Sequence, residues 1–310
     1  IEKCISPRTK AILVVHLFGY SADMDPIMEI ARKHNLKVVE DAAQAPGVFY
    51  KNKYVGSIGD IGGFSLNFHK HIHTGEGGVI VTNSEDLALR CQLIRNHGEN
   101  AIEAYGISDI SNTIGSNYRY SELHAAIAIE QLKKLKMILN HRAEIGAYLT
   151  NRLKDIKGLS VMHLDKDCNH SYYMFPIKFS KEYFGISRNL FLRAVSAELP
   201  TPKYWDTTPL TEGYVKPLYL NPIYQRKIAI GKKGFPFNFN PGVEYNYSKG
   251  ICPVSERFYE YELLISPLVR EGIAINDIKD FADAIEKVAG NINELRDSSL
   301  ISAESNTIYD

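Results

Sequence analysis

Several marks of large protein classes are missing from this 310-residue sequence. The four cysteines, Cys4, Cys91, Cys168 and Cys252, are scattered and form no CxxC pair, which argues against a zinc ribbon or a disulfide scaffold. Each is expected to be a small buried hydrophobe in a reducing compartment. No apolar run approaches the ~20 residues that cross a bilayer, and no signal peptide is recognisable, so the expected location is cytoplasmic. Net charge is absent too: 36 Lys plus Arg balance 36 Asp plus Glu, so no overall field favours nucleic acid or an anionic membrane. Any anion site must be built locally. There is no internal repeat, and no initiating methionine either. The chain opens on Ile1 and runs at once into an apolar stretch, as if entering a domain already under way.

What is present is a composition with 45% hydrophobic residues, enough for a large domain and a smaller companion. Ala11 to Val15 reads as a buried parallel strand. Asp25 is expected to cap a helix with Pro26 at its first position, and Leu36 to Val39 forms the next strand, with Glu40 and Asp41 at its carboxyl end. This strand, helix, strand order predicts a βαβ unit, and ligands of such units bind at the carboxyl ends of the strands. After glycines 56, 59, 62 and 63 comes FSLNFHKHIHTGEGGVIV, Phe64 to Val81, with Lys70 held between two predicted strands and before a glycine-dense turn. Ser84 caps a helix to about Asn96, and Ser121 caps a long one that runs past His141 towards Leu153. Residues 1–140 are assigned to the large domain and 141–310 to a smaller C-terminal one. In the second, strands are expected at 159–163, 172–179 and 263–266, and helices at 187–198, 253–261 and 276–295. Between them lies a long aromatic-rich loop, about 200–253, carrying Tyr204, Trp205, Tyr214, Tyr219, Tyr224, Phe235, Phe237 and Phe239.

The residues at the strand ends, Asp41, Gln44, Ser65 and Lys70, suggest one chemistry in particular. An amine that attacks a carbonyl needs a fixed position and a depressed pKa, and a carboxylate that keeps a ring nitrogen protonated needs burial and orientation. Pyridoxal phosphate asks for that pair, with donors near a glycine-rich turn for its phosphate. From the residues alone, the reading stands beside a plain α/β domain whose Lys70 is a solvated loop residue.

The segments VEDAAQA (39–45), FSLNFHKHIHTGEGG (64–78), RNHG (95–98), GSNYRYSELHAAI (115–127) and CPVSERF (252–258) resemble, in order, those of sugar aminotransferases of the DegT/StrS type. The resemblance implies an α/β, fold type I architecture: a mostly parallel central sheet flanked by helices, with a smaller α+β C-terminal domain. It also implies a homodimer with shared active sites. By position it makes Lys70 the lysine that bonds to pyridoxal 5'-phosphate and moves the proton, and Asp41 the partner of the pyridine nitrogen. Gln44 would lie near the ring's phenolic oxygen, Ser65 on the phosphate, and Asn117 on the phosphate of the neighbouring subunit. The implied reaction transfers an amino group from glutamate to a nucleotide-linked keto sugar, for polysaccharide or glycoconjugate synthesis. Two alternatives remain: a sugar dehydratase of the same family, in which histidine replaces the lysine, and a non-catalytic fragment that keeps only a dimer surface. Phe68 and His69 depart from the small pair common before the lysine. A front segment usual in the family, with part of the cofactor site, is expected to be missing.

Other patterns have bland readings. His69, His71 and His73 alternate as three imidazoles on one face of a strand would, but no Cys or carboxylate at ligand spacing supports a metal, apart from Glu76 in the turn, and none is expected. The TGEGG turn is explained equally by a phosphate cradle and by tight-turn geometry. Arg226, Lys227, Lys232 and Lys233 are a solvated face first and a nucleotide-diphosphate contact second.

Overall fold

The structure, a computed structural model, describes residues 1–99, 106, 110–111, 113–201 and 208–296. It divides into two units. The first comprises Ile1–Glu144, His163–Tyr173 and Val269–Glu271; the second comprises Ile145–Met162, Met174–Leu268 and Gly272–Asp310.

In the first unit, strands β1 (Ala11–Val15), β2 (Lys37–Asp41), β5 (Ile61–Ser65) and β6 (Gly78–Val81) form one sheet in the order β1-β2-β5-β6, and β3 (Phe49–Tyr50) and β4 (Lys53–Tyr54) form a hairpin. β1, β2 and β5 run parallel and β6 antiparallel, as the mostly parallel expectation required. Helix α1 (Met24–Lys33) connects β1 to β2 and buries Met24 and Ala31 in a cluster with Val14, Val38, Ala42 and Val48. Side chains alternate across a strand, so Val38 and Glu40 turn into this core while Val39 and Asp41 turn to the opposite face. That face is largely bare: Leu13 is 67% exposed and Ile80, in line with Asp41 and Gly63, 60%.

Helix α2 (Glu85–Arg95) starts where Ser84 Oγ accepts from the Leu87 amide, and α3 (Glu122–Leu153) where Ser121 Oγ accepts from the His124 amide. The cap of α1 lies two residues earlier than its sequence indicated. Asp23 is the cap residue and Asp25 falls inside the first turn. The side chain of Asp23 makes no cap bond because it accepts from the Tyr50 hydroxyl at 2.6 Å, a partner 27 residues away.

The second unit holds an antiparallel sheet in the order β7-β8-β10-β9, from β7 (Leu159–Val161), β8 (Phe175–Phe179), β9 (Thr211–Glu212) and β10 (Leu263–Ser266). Its helices are α4 (Lys181–Phe184), α5 (Arg188–Ala197), α6 (Pro222–Gln225), α7 (Pro253–Arg257), α8 (Ile275–Gly290) and α9 (Ile292–Arg296). Phe179, Phe184 and Phe191 pack ring to ring with centroids 4.9 to 5.4 Å apart. The aromatic-rich loop is organised rather than bare: Tyr224, Phe237, Tyr245 and Tyr247 meet edge to face, and the Tyr219 hydroxyl donates to the buried Glu256 carboxylate. Tyr204 and Trp205 lie outside the described residues. The expectation of four buried cysteines fails, since Cys4 and Cys252 are exposed and Cys91 and Cys168 only half-buried. Cys4 sits on a short 3-10 turn with no buried residue, and Cys252 just before α7, so neither faces a core. Among the described residues, no helix is long and apolar enough to cross a membrane.

Candidate active site

All five residues singled out in the sequence lie in the first unit. β2 presents two adjacent carboxylates in opposite directions. Glu40, 1% exposed, is bound on every side: the Gly56, Ile58 and Gly59 amides donate to it at 2.7, 2.7 and 2.5 Å. His16 Nε2 lies 2.9 Å away, and because the Ala22 amide donates to His16 Nδ1, it is Nε2 that carries the proton to Glu40. Burial raises the Glu40 carboxyl, but the His16 bond and the Gly59 and Gly56 amides outweigh it and hold the group below its ordinary value. Glu40 is a structural fastener. Asp41, half-buried, stands between Val15 and Gly63 in the sheet, and its Oδ1 accepts from the Ala43 amide at 3.1 Å.

Gln44 follows in the loop after β2. Its Oε1 accepts from the Phe18 amide at 2.7 Å, and its backbone carbonyl accepts from Ser171 Oγ at 3.0 Å. Phe18 itself lies in the left-handed region, φ 60°. Ser65 ends β5 and its Oγ accepts from the Asn67 amide at 3.2 Å. The Asn67 side chain then donates to Glu76 across the glycine-dense turn at 2.8 Å. Gly75 has φ 84°, and a Cβ on Gly77 would come within 2.7 Å of the Tyr120 ring, so turn geometry by itself accounts for these glycines.

Lys70 is half-buried in this loop, its amide donating to the Asn67 carbonyl at 2.9 Å. Burial pushes its ammonium below the ordinary lysine range, and the Asp41 carboxylate pulls it part of the way back. Its Nζ lies 4.3 Å from the centroid of the Tyr173 ring. Among the described residues it has no carboxylate within ion-pair distance.

Asn117 is exposed, bridged to Asn96 just past α2, and its Oδ1 accepts from the Arg119 amide at 3.4 Å. The three alternating histidines do not lie on a strand, because residues 68–72 form a turn followed by bends. His69 and His73 are exposed while His71 is buried, with its Nε2 donating to the Ser171 carbonyl at 2.9 Å. Among the described residues, no group of three His, Cys, Asp or Glu could hold a metal ion.

Sequence reading missed the segment His170–Tyr173, which contributes a ring to Lys70 and two oxygens to its surroundings. The spacing of about a hundred residues leaves no local pattern to find it by; only the aromatic pair Tyr172-Tyr173 before a strand is visible.

The donor set fits pyridoxal phosphate. A desolvated amine can react with an aldehyde, a carboxylate in its electrostatic reach can hold a ring nitrogen protonated, and the Ser65 hydroxyl beside a turn can meet a phosphate. The fold is that of an α/β protein with Lys70 and Asp41 in electrostatic reach of each other. The chain belongs to the DegT/DnrJ/EryC1/StrS aminotransferase family, whose model matches residues 1–233. Pyridoxal phosphate is the cofactor of this family, and its members include sugar aminotransferases. GDP-perosamine synthase of Caulobacter vibrioides is 39% identical over 179 residues, covering 57% of this chain and 47% of that protein. L-glutamine:2-deoxy-scyllo-inosose aminotransferase of Streptoalloteichus tenebrarius is 31% identical over 96% of this chain and 69% of its own length. Among solved structures, DesV of S. venezuelae, in complex with a ketimine intermediate, superposes with a TM-score of 0.74 at 26% identity, covering 93% of this chain and 67% of that one. The chain therefore spans between 47% and 69% of the lengths of these relatives.

Proposed function

We propose that the chain carries the catalytic lysine of a pyridoxal phosphate-dependent transaminase that moves an amino group from glutamate to the keto carbon of a nucleotide-activated sugar. The product would serve polysaccharide or glycoconjugate synthesis. One observation carries the reading: Lys70, its ammonium disfavoured by burial and within the electrostatic reach of Asp41, lies on the loop leaving the β5 end of a parallel sheet. Bound there, pyridoxal phosphate supplies an electron-accepting ring on which amino groups are exchanged. In this reading Lys70 Nζ takes the proton from the donor carbon and returns one to the sugar carbon on the same face. Asp41 keeps the pyridine nitrogen protonated, Gln44 orients the ring's phenolic oxygen, and Ser65 binds phosphate. Asn117, exposed beside Asn96, is assigned to the site of a second copy in a homodimer. The name of the Streptoalloteichus relative contains glutamine, so glutamine is the alternative donor.

The test is to add cofactor to the purified chain and follow the visible band of cofactor bonded to lysine. A band that glutamate or glutamine bleaches and that Lys70→Ala abolishes supports the proposal. Bound cofactor that ignores both donors favours the dehydratase chemistry instead, and no bound cofactor favours a non-catalytic role; either result overturns the transaminase reading.

A further inference from the structure

Lys70 has a neighbour that the proposed reaction does not yet use. Its Nζ sits 4.3 Å from the ring centroid of Tyr173, which is 8% exposed. The segment bearing that ring is fixed from several directions. Tyr172 adopts φ 51°, and its carbonyl accepts from Arg142 Nη1 at 2.8 Å. Arg142 is in turn clamped by both carboxylate oxygens of Glu271, at 2.9 and 3.2 Å. One residue earlier, the Ser171 amide donates to the Gly19 carbonyl at 2.9 Å, and the Ser171 carbonyl accepts from His71 Nε2. His71 directly follows Lys70, so the lysine's loop and the segment carrying the ring are tied by a buried strut one residue from Lys70 and two from Tyr173.

We propose that Tyr173 is a positioning residue for Lys70, whose amine its ring face holds in place through both protonation states. The inference rests on Lys70 being the reactive amine. An aromatic face attracts an ammonium through the ring quadrupole, and a neutral amine can point an N–H at the same face. A carboxylate partner within ion-pair distance would hold the charged form far more strongly than the neutral one, which suits a structural lysine and not one that must cycle its proton. The other groups that act on the Lys70 amine are Asp41 from the end of β2 and, on its own loop, His69 and His71, each of which feels the Lys70 charge. Burial holds His71 well below the ordinary histidine range, and partial desolvation with the Lys70 charge lowers the more exposed His69. The role of His71 follows as well: it is neutral and serves as a strut.

The experiment measures the apparent pKa of Lys70 in the full cofactor-free chain, from the pH dependence of trace acetylation read by peptide mass spectrometry. Tyr173→Phe is compared with replacements by mono-, di- and trifluorophenylalanine, which keep the shape of the ring while draining its face. Tyr173→Phe should match the unsubstituted chain. The fluorinated series should lower the pKa stepwise, by about 0.5–1 unit in all, because removing the attraction destabilises the ammonium. A flat series overturns the proposal, as does a shift already complete in Tyr173→Phe, which would assign the effect to the hydroxyl. The outcome is separable from the proposed reaction. A graded series in a chain that binds no cofactor upholds the ring–amine pair and overturns the assignment of the chemistry, whereas a flat series in a chain that binds cofactor does the reverse.

Discussion

The two sheets of this protein are built for different ends. In the second unit β10 is buried along its whole length, from Leu263 to Ser266, and aromatic rings stack beside it. In the first unit the sheet is packed on one face only, and the other carries Asp41 among exposed apolar side chains. The polar groups show the same contrast. Glu40 has its oxygens saturated by four donors, while Asp41, the next residue, accepts from the Ala43 amide and answers electrostatically to Lys70. Buried polar groups that build structure have their hydrogen-bonding capacity filled, as Glu40 does.

That contrast can be broken at either end. The largest loss of stability is expected from Phe191→Ala, which opens a cavity beside the stacked rings of Phe179 and Phe184 in the second unit and should cost about 3–5 kcal/mol in urea unfolding. Glu40→Ala in the first unit leaves His16 and three amides without an acceptor, and a loss of about 3 kcal/mol is expected by the same measurement. Should Glu40→Ala unfold at the unsubstituted midpoint, the description of Glu40 as a fastener is wrong.

Acidification should have a somewhat smaller effect. Burial lowers His170 to about 3 and holds His71 well below its ordinary value, so both are neutral in the fold and take up protons on unfolding below about pH 6.5. The unfolded state then binds more protons, and the stability these two groups contribute is fully present above pH 6.5 and lost as pH falls towards the folded values. Between pH 7.5 and 5.5 the pair should remove about 2–3 kcal/mol, seen as a lower urea midpoint. An unchanged midpoint would mean that these imidazoles are hydrated in solution. Lys70→Met is expected to disturb stability least, by less than about 1 kcal/mol, since it exchanges a partly desolvated amine for an apolar chain of similar length. It should nevertheless eliminate the visible band of bound cofactor, which separates chemistry from stability.

Much of the fold could be read in the chain because its signals are local. The β-branched run Val79 to Val81, the glycines before it and the caps at Ser84 and Ser121 act within a few residues, and the elements they announce are present. The place of Asp41 at the carboxyl end of β2 was legible in the same way. What escaped depends on distant residues. Asp23 rather than Asp25 opens α1 as its cap residue because Tyr50 engages it, and no periodicity reports a tyrosine hydroxyl 27 residues away. Tyr173 reaches Lys70 only because His163–Tyr173 returns to the first unit after a strand of the second, and no local pattern announces that His71 donates to the Ser171 carbonyl.

The opposed carboxylates of β2 carry a consequence for how this strand can vary. A single residue deleted between Lys37 and Glu40 would turn both carboxylates over, bringing Asp41 to the amides of residues 56–59 and leaving Glu40 on the opposite face, short of where Asp41 stood. The chain would keep two carboxylates, yet the one at the amides would be a methylene too short and the other out of register. A one-residue change of length here therefore disturbs both positions at once, which makes the register of a five-residue strand a determinant of where Asp41 stands.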